Sequence, residues 1–369
     1  MSGLYLSLIG LVILNPVITK KGYKFYLFMF LCVLVYYAYH FDVTTGADLY
    51  RRYQEMELYN KMGLDYVLEN RMEINPLSAL FFYWFSTFED PQLVPAFTIL
   101  VCYGSAFYIL IKCSERYDLS KNQMNFLLFI FMLTFYYDQA ISNVRIYICY
   151  GLISLFLYKD VIEGKFRRLS WVVYIACCFF HYAVLPFVIL RGVLYIKDRV
   201  KGTDTVLYLS IAVCCVFGDM IIPYLAKFGG IFLTLAYKSS GYENYSVFGL
   251  WQSISSLFRM ILLPAMCFFI SRFYNDKYSQ EKKLMFYLVS VSIMLFFMIS
   301  NYQLVFRTPN FMQYIAMVPI SILLKMNEEQ KNQANIHLYS ALKIGLIIMA
   351  AYTFAYQAVF IHPNVNFVF

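Results

Sequence analysis

Apolar stretches separated by short polar breaks fill this chain from end to end. They run from Gly3 to Ile18, Tyr23 to Tyr39, Leu93 to Ile111, Met124 to Tyr137, Val144 to Tyr158, Leu169 to Phe180, Tyr182 to Ile196, Val206 to Ile222, Leu250 to Ile270, Leu284 to Tyr302, Pro309 to Leu324 and Leu338 to Val359. Roughly 20 residues at about 1.5 Å each cross the hydrocarbon of a bilayer. The pattern therefore predicts an all-α polytopic membrane protein with about twelve transmembrane helices. The run from Ile74 to Phe88 is short for a span; it starts at Asn75-Pro76 and ends before Glu89-Asp90-Pro91. It predicts a re-entrant or interfacial helix near 74–88, with Pro76 in its first turn.

The polar breaks orient the molecule. Cytoplasmic loops are rich in Lys and Arg, and alternating from an outside N-terminus puts six basic clusters inside. These are Lys20/Lys21/Lys24, Lys112/Arg116/Lys121, Lys159/Lys165/Arg167/Arg168, Lys197/Arg199/Lys201, Arg272/Lys277/Lys282/Lys283 and Lys325/Lys331, together 19 of the 30 basic residues. That balance holds only if the stretch from Leu169 to Ile196 turns near His181 into two short helices. Both termini then lie outside, with two sizeable outer loops, His40 to Glu73 and Pro223 to Gly249. No internal repeat or soluble domain interrupts the chain, so residues 1–369 form one membrane domain.

Composition agrees: 61% of the 369 residues are hydrophobic and 14% charged, more apolar surface than a water-soluble core of this length buries. The formal charge of +8 is scattered through interhelical loops, which argues against nucleic acid as a partner. The nine cysteines lie in or beside apolar runs without ligand spacing and read as small hydrophobes. The adjacent pairs Cys177-Cys178 and Cys214-Cys215 point to different faces of a helix. No metal or other cofactor is expected, and no Walker, HExxH, GxSxG or GxGxxG pattern is present.

Charge that persists near lipid marks candidate chemistry. Arg145 opens a helix after Asp138-Gln139-Ala140-Ile141-Ser142-Asn143, Arg259 lies well inside a span, and Arg307 follows an outer helix end. Converging guanidinium groups suit a phosphate or pyrophosphate, which they bind bidentately. The plainer alternative is that each snorkels to lipid headgroups or pairs with a local acid. The first outer loop carries Asp48, Arg51, Arg52, Tyr53, Arg71 and Glu73. Carboxylates hold sugar hydroxyls or take a proton, arginines hold phosphate, and tyrosine rings stack on sugars. A solvated acidic-basic loop folded on itself accounts for the same spacing. His181, between apolar runs, is a candidate general base with a reference pKa of about 6.5, or simply an interfacial residue. Tyr237, Tyr242, Glu243, Tyr245 and Trp251 around the second loop suit either sugar stacking or an interfacial aromatic belt.

Taken in order, Gly46-Ala47-Asp48-Leu49-Tyr50-Arg51-Arg52-Tyr53, Glu73-Ile74-Asn75-Pro76, Ser142-Asn143-Val144-Arg145, Phe180-His181-Tyr182-Ala183 and Arg307 with Phe311 and Tyr314 resemble the Wzy-type polysaccharide polymerases, in their EpsG-like branch. The resemblance runs through most of the chain. It implies a glycosyltransferase of the bacterial cytoplasmic membrane that uses no nucleotide sugar. Such an enzyme joins undecaprenyl-pyrophosphate-linked oligosaccharide repeat units into exopolysaccharide, capsule or O-antigen on the outer face. On that resemblance Arg145, Arg259 and Arg307 cradle pyrophosphate, while Arg51, Arg52, Arg71, Glu73 and Tyr53 contact substrate. His181 is the first choice of base and Asp48 the second. The partners it implies are the lipid-linked oligosaccharide, the bilayer, a chain-length regulator and a flippase. The competing classes are a lipid-linked oligosaccharide transporter, a glycan ligase and an acyltransferase; the inverted repeats that would favour a transporter are not evident.

Overall fold

The structure, a computed structural model, describes residues 14–43, 48–72, 75–197, 208–213, 227, 250–273, 279–297, 302–329, 333–357 and 366–367. The expected spans Gly3 to Ile18 and Val206 to Ile222, the connection Pro223 to Gly249 and the candidate Glu73 fall largely or wholly outside the described residues. What is described is almost entirely helical. Helix α1 is Tyr23–Tyr39, α2 Asp48–Asn70, α3 Pro76–Ser86, α4 Leu93–Tyr117, α5 Lys121–Thr134, α6 Tyr137–Ser142 and α7 Val144–Leu157. Next come α8 at Arg167–Phe180, α9 at Leu185–Lys197, α10 at Leu250–Phe273, α11 at Ser279–Phe297, α12 at Tyr302–Glu329 and α13 at Gln333–Tyr356.

Among the described residues, Leu93–Tyr117, Ile254–Arg272 and His337–Tyr356 are long and apolar enough to cross a membrane, with Tyr23–Tyr39 a shorter apolar helix. The outer helices present apolar side chains outward. Leu169, Val172, Ile175 and Phe179 of α8 are exposed along one face, as are Ile344, Ile347 and Ile348 of α13. Exposed aliphatic stripes of this kind need lipid rather than water beside them.

Helices α4 and α12 form the centre. Helix α4 packs against α1, α7 and α12, and α12 is buried on every side from Phe311 to Leu324. Packing between lipid-embedded helices depends on close backbone approach, and Gly151 of α7 supplies it. A Cβ there would lie 3.2 Å from the Val101 carbonyl oxygen and 3.3 Å from Cys102 Cα in α4. The same seam carries a Cys102 Sγ–H donated to the Tyr147 carbonyl at 3.3 Å.

Local chemistry sets the element ends. Ser120 and Gln123 form a reciprocal capping box that starts α5. Pro76 begins α3, where its missing N–H costs nothing. The 11 residues of α3 are too few to cross the hydrocarbon, in keeping with the short helix expected near 74–88. His181 is extended (φ −155°, ψ 103°) and separates α8 from a short 3-10 turn leading into α9, so the helix is broken at the position where the turn was expected.

Three features differ from the sequence expectation. The outer loop expected from His40 to Glu73 is largely helical: Asp48–Asn70 forms a helix, with a break at Gly63 (φ 80°, ψ −179°). Its charges mask a narrow apolar stripe of Leu49, Met56, Tyr59 and Val67, all buried, while i,i+3 and i,i+4 ion pairs support the turns. Arg307 does not follow a helix end but lies in the second turn of α12, which begins at Tyr302 and runs through Pro309. A two-residue antiparallel ladder, β1 (Phe41–Asp42) with β2 (Asn366–Phe367), ties the exit of α1 to the far end of the chain. An all-α pattern gives no hint of that pairing, because two-residue strands carry no readable period.

Candidate functional site

Beyond the break at Gly63, Asn70 and Arg71 share a cavity lining with Asn75 and Ser78 at the start of α3 and with Arg145 in the first turn of α7. Asp48, in the first turn of α2, is the hub of this arrangement. Its carboxylate lies 3.0 Å from Arg51, 3.4 Å from Arg52 and 3.8 Å from Arg145. Arg52 also pairs with Glu55 at 2.6 Å and sits over the Phe82 ring of α3, 5.7 Å from its centroid. A carboxylate at a helix N-terminus is favoured by the helix dipole, so Asp48 both starts α2 and gathers the arginines.

Between α2, α3 and α7 lies a cavity of about 220 Å³ lined by Arg52, Glu55, Tyr59, Asn70, Arg71, Asn75, Ser78, Ala79, Phe82 and Arg145. Three guanidinium groups thus face one lining carboxylate. The buried Nε atoms of Arg52 and Arg145 have no hydrogen-bond partner among the described residues. The Arg145 side chain is largely withdrawn from solvent, with Arg52, Asp48 and Glu55 as its charged neighbours. Positive charge withdrawn from solvent is costly without counter-charge, and this lining holds three guanidinium-bearing side chains to one carboxylate. An anionic group with several acceptor oxygens fits that requirement.

The other candidates are distributed around this cavity. Arg71 lines it, while Arg51 is exposed and engaged with Asp48. Tyr53 points to the opposite side of α2 and donates its hydroxyl to Gln92 Oε1 at 3.1 Å. His181 is next to the cavity rather than in its lining. Asn75 accepts the Tyr182 N–H at 3.4 Å, joining the break after α8 to the start of α3. The His181 Nδ1 accepts the Ala183 N–H at 3.2 Å, so the neutral ring carries its proton on Nε2. Acting as a base at Nδ1 would require giving up that bond.

Arg259 and Arg307 are not among the residues lining the cavity. Arg259 is fully buried and its guanidinium is engaged throughout: with the Ser255 carbonyl, the Thr134 carbonyl and Asn310 Oδ1, each at 3.3 Å, and with the Tyr136 hydroxyl at 3.2 Å. It closes the end of α5, whose last carbonyls have no helical partner. Arg307 has an unpartnered Nε among the described residues, and its charge acts on Tyr147 and Tyr150 of α7. Glu55, Tyr59, Asn70 and Ser78 line the cavity without having been singled out in the sequence, and Asn75 was noted there only as part of a helix-start motif. The signal for the first two was available, since Arg52, Glu55 and Tyr59 fall at i, i+3 and i+7 of a helix.

Residues 7–368 match the EpsG family, nearly the whole chain.

The chain belongs to the EpsG family. This places it among membrane proteins of polysaccharide biosynthesis, with a role of the polysaccharide polymerase type. No curated protein and no solved structure shows a significant match to it.

The cavity also has a definite position along the bundle. The polar segments at the C-terminal end of α4 meet one another: Lys20 pairs with Asp118, Lys24 and Lys112 with Glu115, and Arg116 with Glu281. Gln92 and Asp90, at the other end of α4, meet Tyr53 and Tyr39 instead. With 25 residues, α4 separates the two ends by about 37 Å. The lysine-rich end and the Asp48 end are therefore on opposite sides of the bundle.

Proposed function

We propose that this EpsG-family chain polymerises oligosaccharide repeat units carried on undecaprenyl pyrophosphate, at the outer face of the bacterial cytoplasmic membrane. The observation that carries this reading is the cavity lined by Arg52, Arg71 and Arg145 with Glu55 as its one carboxylate, where the buried Nε atoms of Arg52 and Arg145 have no partner among the described residues. A pyrophosphate bears the acceptor oxygens those donors lack. The outer location is supported by the positive-inside tendency, since the lysine-rich end of α4 lies opposite the cavity.

In the proposed reaction a hydroxyl at the non-reducing end of one lipid-linked repeat attacks the anomeric carbon of the other glycan. The new C–O bond forms as the bond to pyrophosphate breaks, and that electron pair leaves with the undecaprenyl pyrophosphate oxygen. Arg145, Arg52 and Arg71 stabilise the charge that grows there. Glu55, in the cavity lining, takes the hydroxyl proton, and Asp48 fixes the arginines that face it. His181 contributes through its position beside Asn75 and as a donor at Nε2. Arg307 is the reserve cation behind Tyr147, and Arg259 holds the helix end that sets α7 in place.

The decisive experiment uses the purified chain in lipid nanodiscs with lipid-linked repeat units and no nucleotide sugar or ATP. Formation of a ladder of longer glycans is expected for the native chain and loss of the ladder for Arg145→Ala. Unchanged substrate with the native chain would overturn the proposal.

A further inference from the structure

Helix α2 has two polar faces, and only one of them belongs to the arginine cavity. Arg52, Glu55 and Tyr59 project to one side; Tyr50, Tyr53, Gln54, Glu57 and Asn60 recur at spacings that place them about 180° away on the helix. That second face closes a larger cavity of about 520 Å³ against the turn between α3 and α4, where Glu89, Asp90 and Pro91 complete it. No lysine or arginine is among its lining residues.

The lining chemistry is specific. Tyr53 and Asp90 are held in place: Tyr53 donates to Gln92, Asp90 accepts from the Tyr39 hydroxyl at 2.8 Å and from the Gln92 N–H at 3.1 Å. Burial, followed by the Asp90 charge, raises the Tyr53 hydroxyl above its ordinary range, so this phenol stays neutral. Tyr50, Gln54 and Asn60 by contrast have no hydrogen-bond or ring partner among the described residues, although all three line the cavity. An aromatic face and two free amides, on a rigid helix and beside acidic oxygens, are what a neutral polyhydroxylated ligand needs. The ring covers the apolar face of a sugar, and each amide offers a donor and an acceptor to its hydroxyls. A phosphate would find no cation among the lining residues and would be repelled by Glu89 and Asp90, Glu57 being paired with Lys61 at 2.6 Å.

We infer that this second cavity is an oligosaccharide-binding groove, separated from the pyrophosphate site by the thickness of α2. The groove holds the sugar portion of a repeat unit while its charged end is handled on the other face. The inference deepens the polymerase proposal and rests on it for the role of the bound sugar, though not for the ligand class.

The test uses the full chain in nanodiscs and, as probe, the neutral oligosaccharide released by partial hydrolysis of the producing cell's own surface polysaccharide, free of lipid and phosphate. Binding is followed by saturation-transfer NMR and titration calorimetry. The native chain is expected to bind it, with no displacement by sodium pyrophosphate. Gln54→Ala and Asn60→Ala, both at exposed positions, and Tyr50→Ala, each made singly, are expected to weaken binding about tenfold, the usual effect of removing one hydrogen bond or one stacked ring. Absence of binding by the native chain, native affinity in these variants, or displacement by pyrophosphate would overturn the groove. The two proposals fail separately: an active Arg145→Ala variant counts against the pyrophosphate site alone, and native oligosaccharide affinity in the groove variants against the groove alone.

Discussion

Arg145 and Arg259 both carry charge into an apolar bundle, and their hydrogen bonds separate them. Arg259 directs its donors to two backbone carbonyls, Asn310 and the Tyr136 hydroxyl, and its guanidinium lies 5.0 Å from the Tyr136 ring centroid. Arg145 has an ion pair with Asp48 at 3.8 Å and an unsatisfied Nε among the described residues. Arg145→Ala is expected to lower the polymerisation rate about 100-fold, the usual effect of deleting a group that stabilises developing charge, with the melting temperature of the detergent-solubilised chain unchanged. Arg145→Lys keeps a charge without the planar fork and is expected to fall between the two; native rates in both variants would remove Arg145 from the site. Arg259→Ala has the opposite expected signature, a loss of about 3 kcal/mol or more from unsatisfied buried partners, seen as a lower melting temperature and yield. Sequence alone set these two arginines on the same footing. Their difference depends on Thr134, Tyr136 and Asn310, whose distance along the chain from Arg259 leaves no local pattern to read.

At the scale of elements, α2 decides where the arginines stand. Its charges suggested an outer loop, because Leu49, Met56, Tyr59 and Val67 make too thin a stripe to stand out among so many polar residues. The helices with continuous apolar runs were legible, and so was the short helix after Asn75-Pro76, since a proline start is a purely local signal. The break at Gly63 was not, because a glycine in a polar stretch equally marks a turn. Its φ of 80° with ψ near 180° belongs to a region that residues with a Cβ essentially do not occupy. Gly63→Ala is expected to cost roughly 1–3 kcal/mol in local strain and to displace Asn70 and Arg71 from the cavity. Its measurable outcome is slower polymerisation with slower turnover at saturating lipid-linked repeat. Native kinetics in Gly63→Ala would show that the bend has no part in positioning Arg71.

For the whole molecule, the pairings between polar segments constrain sidedness more tightly than counting spans does. Basic clusters widely separated in sequence meet through Asp118, Glu115 and Glu281 at one end of α4, and the β1–β2 ladder puts Phe367 level with Phe41 at the exit of α1, toward the end that carries Asp90. If the lysine-rich end faces the cytoplasm, Asp48, Arg145 and the exposed face of α2 open to the outside, where a lipid-linked glycan would be handled. A cysteine replacing the exposed Lys61 is expected to react with a charged, membrane-impermeant maleimide in intact cells, whereas one replacing Lys20 reacts only after permeabilisation. Background is low because charged reagents need an accessible thiolate and most of the described native cysteines are buried, with Cys32 on the exposed side of an apolar helix. Labelling of Lys20→Cys but not Lys61→Cys in intact cells would put the arginine cavity inside the cell and end the case for polymerisation at the outer face, whatever the affinity of the site for pyrophosphate.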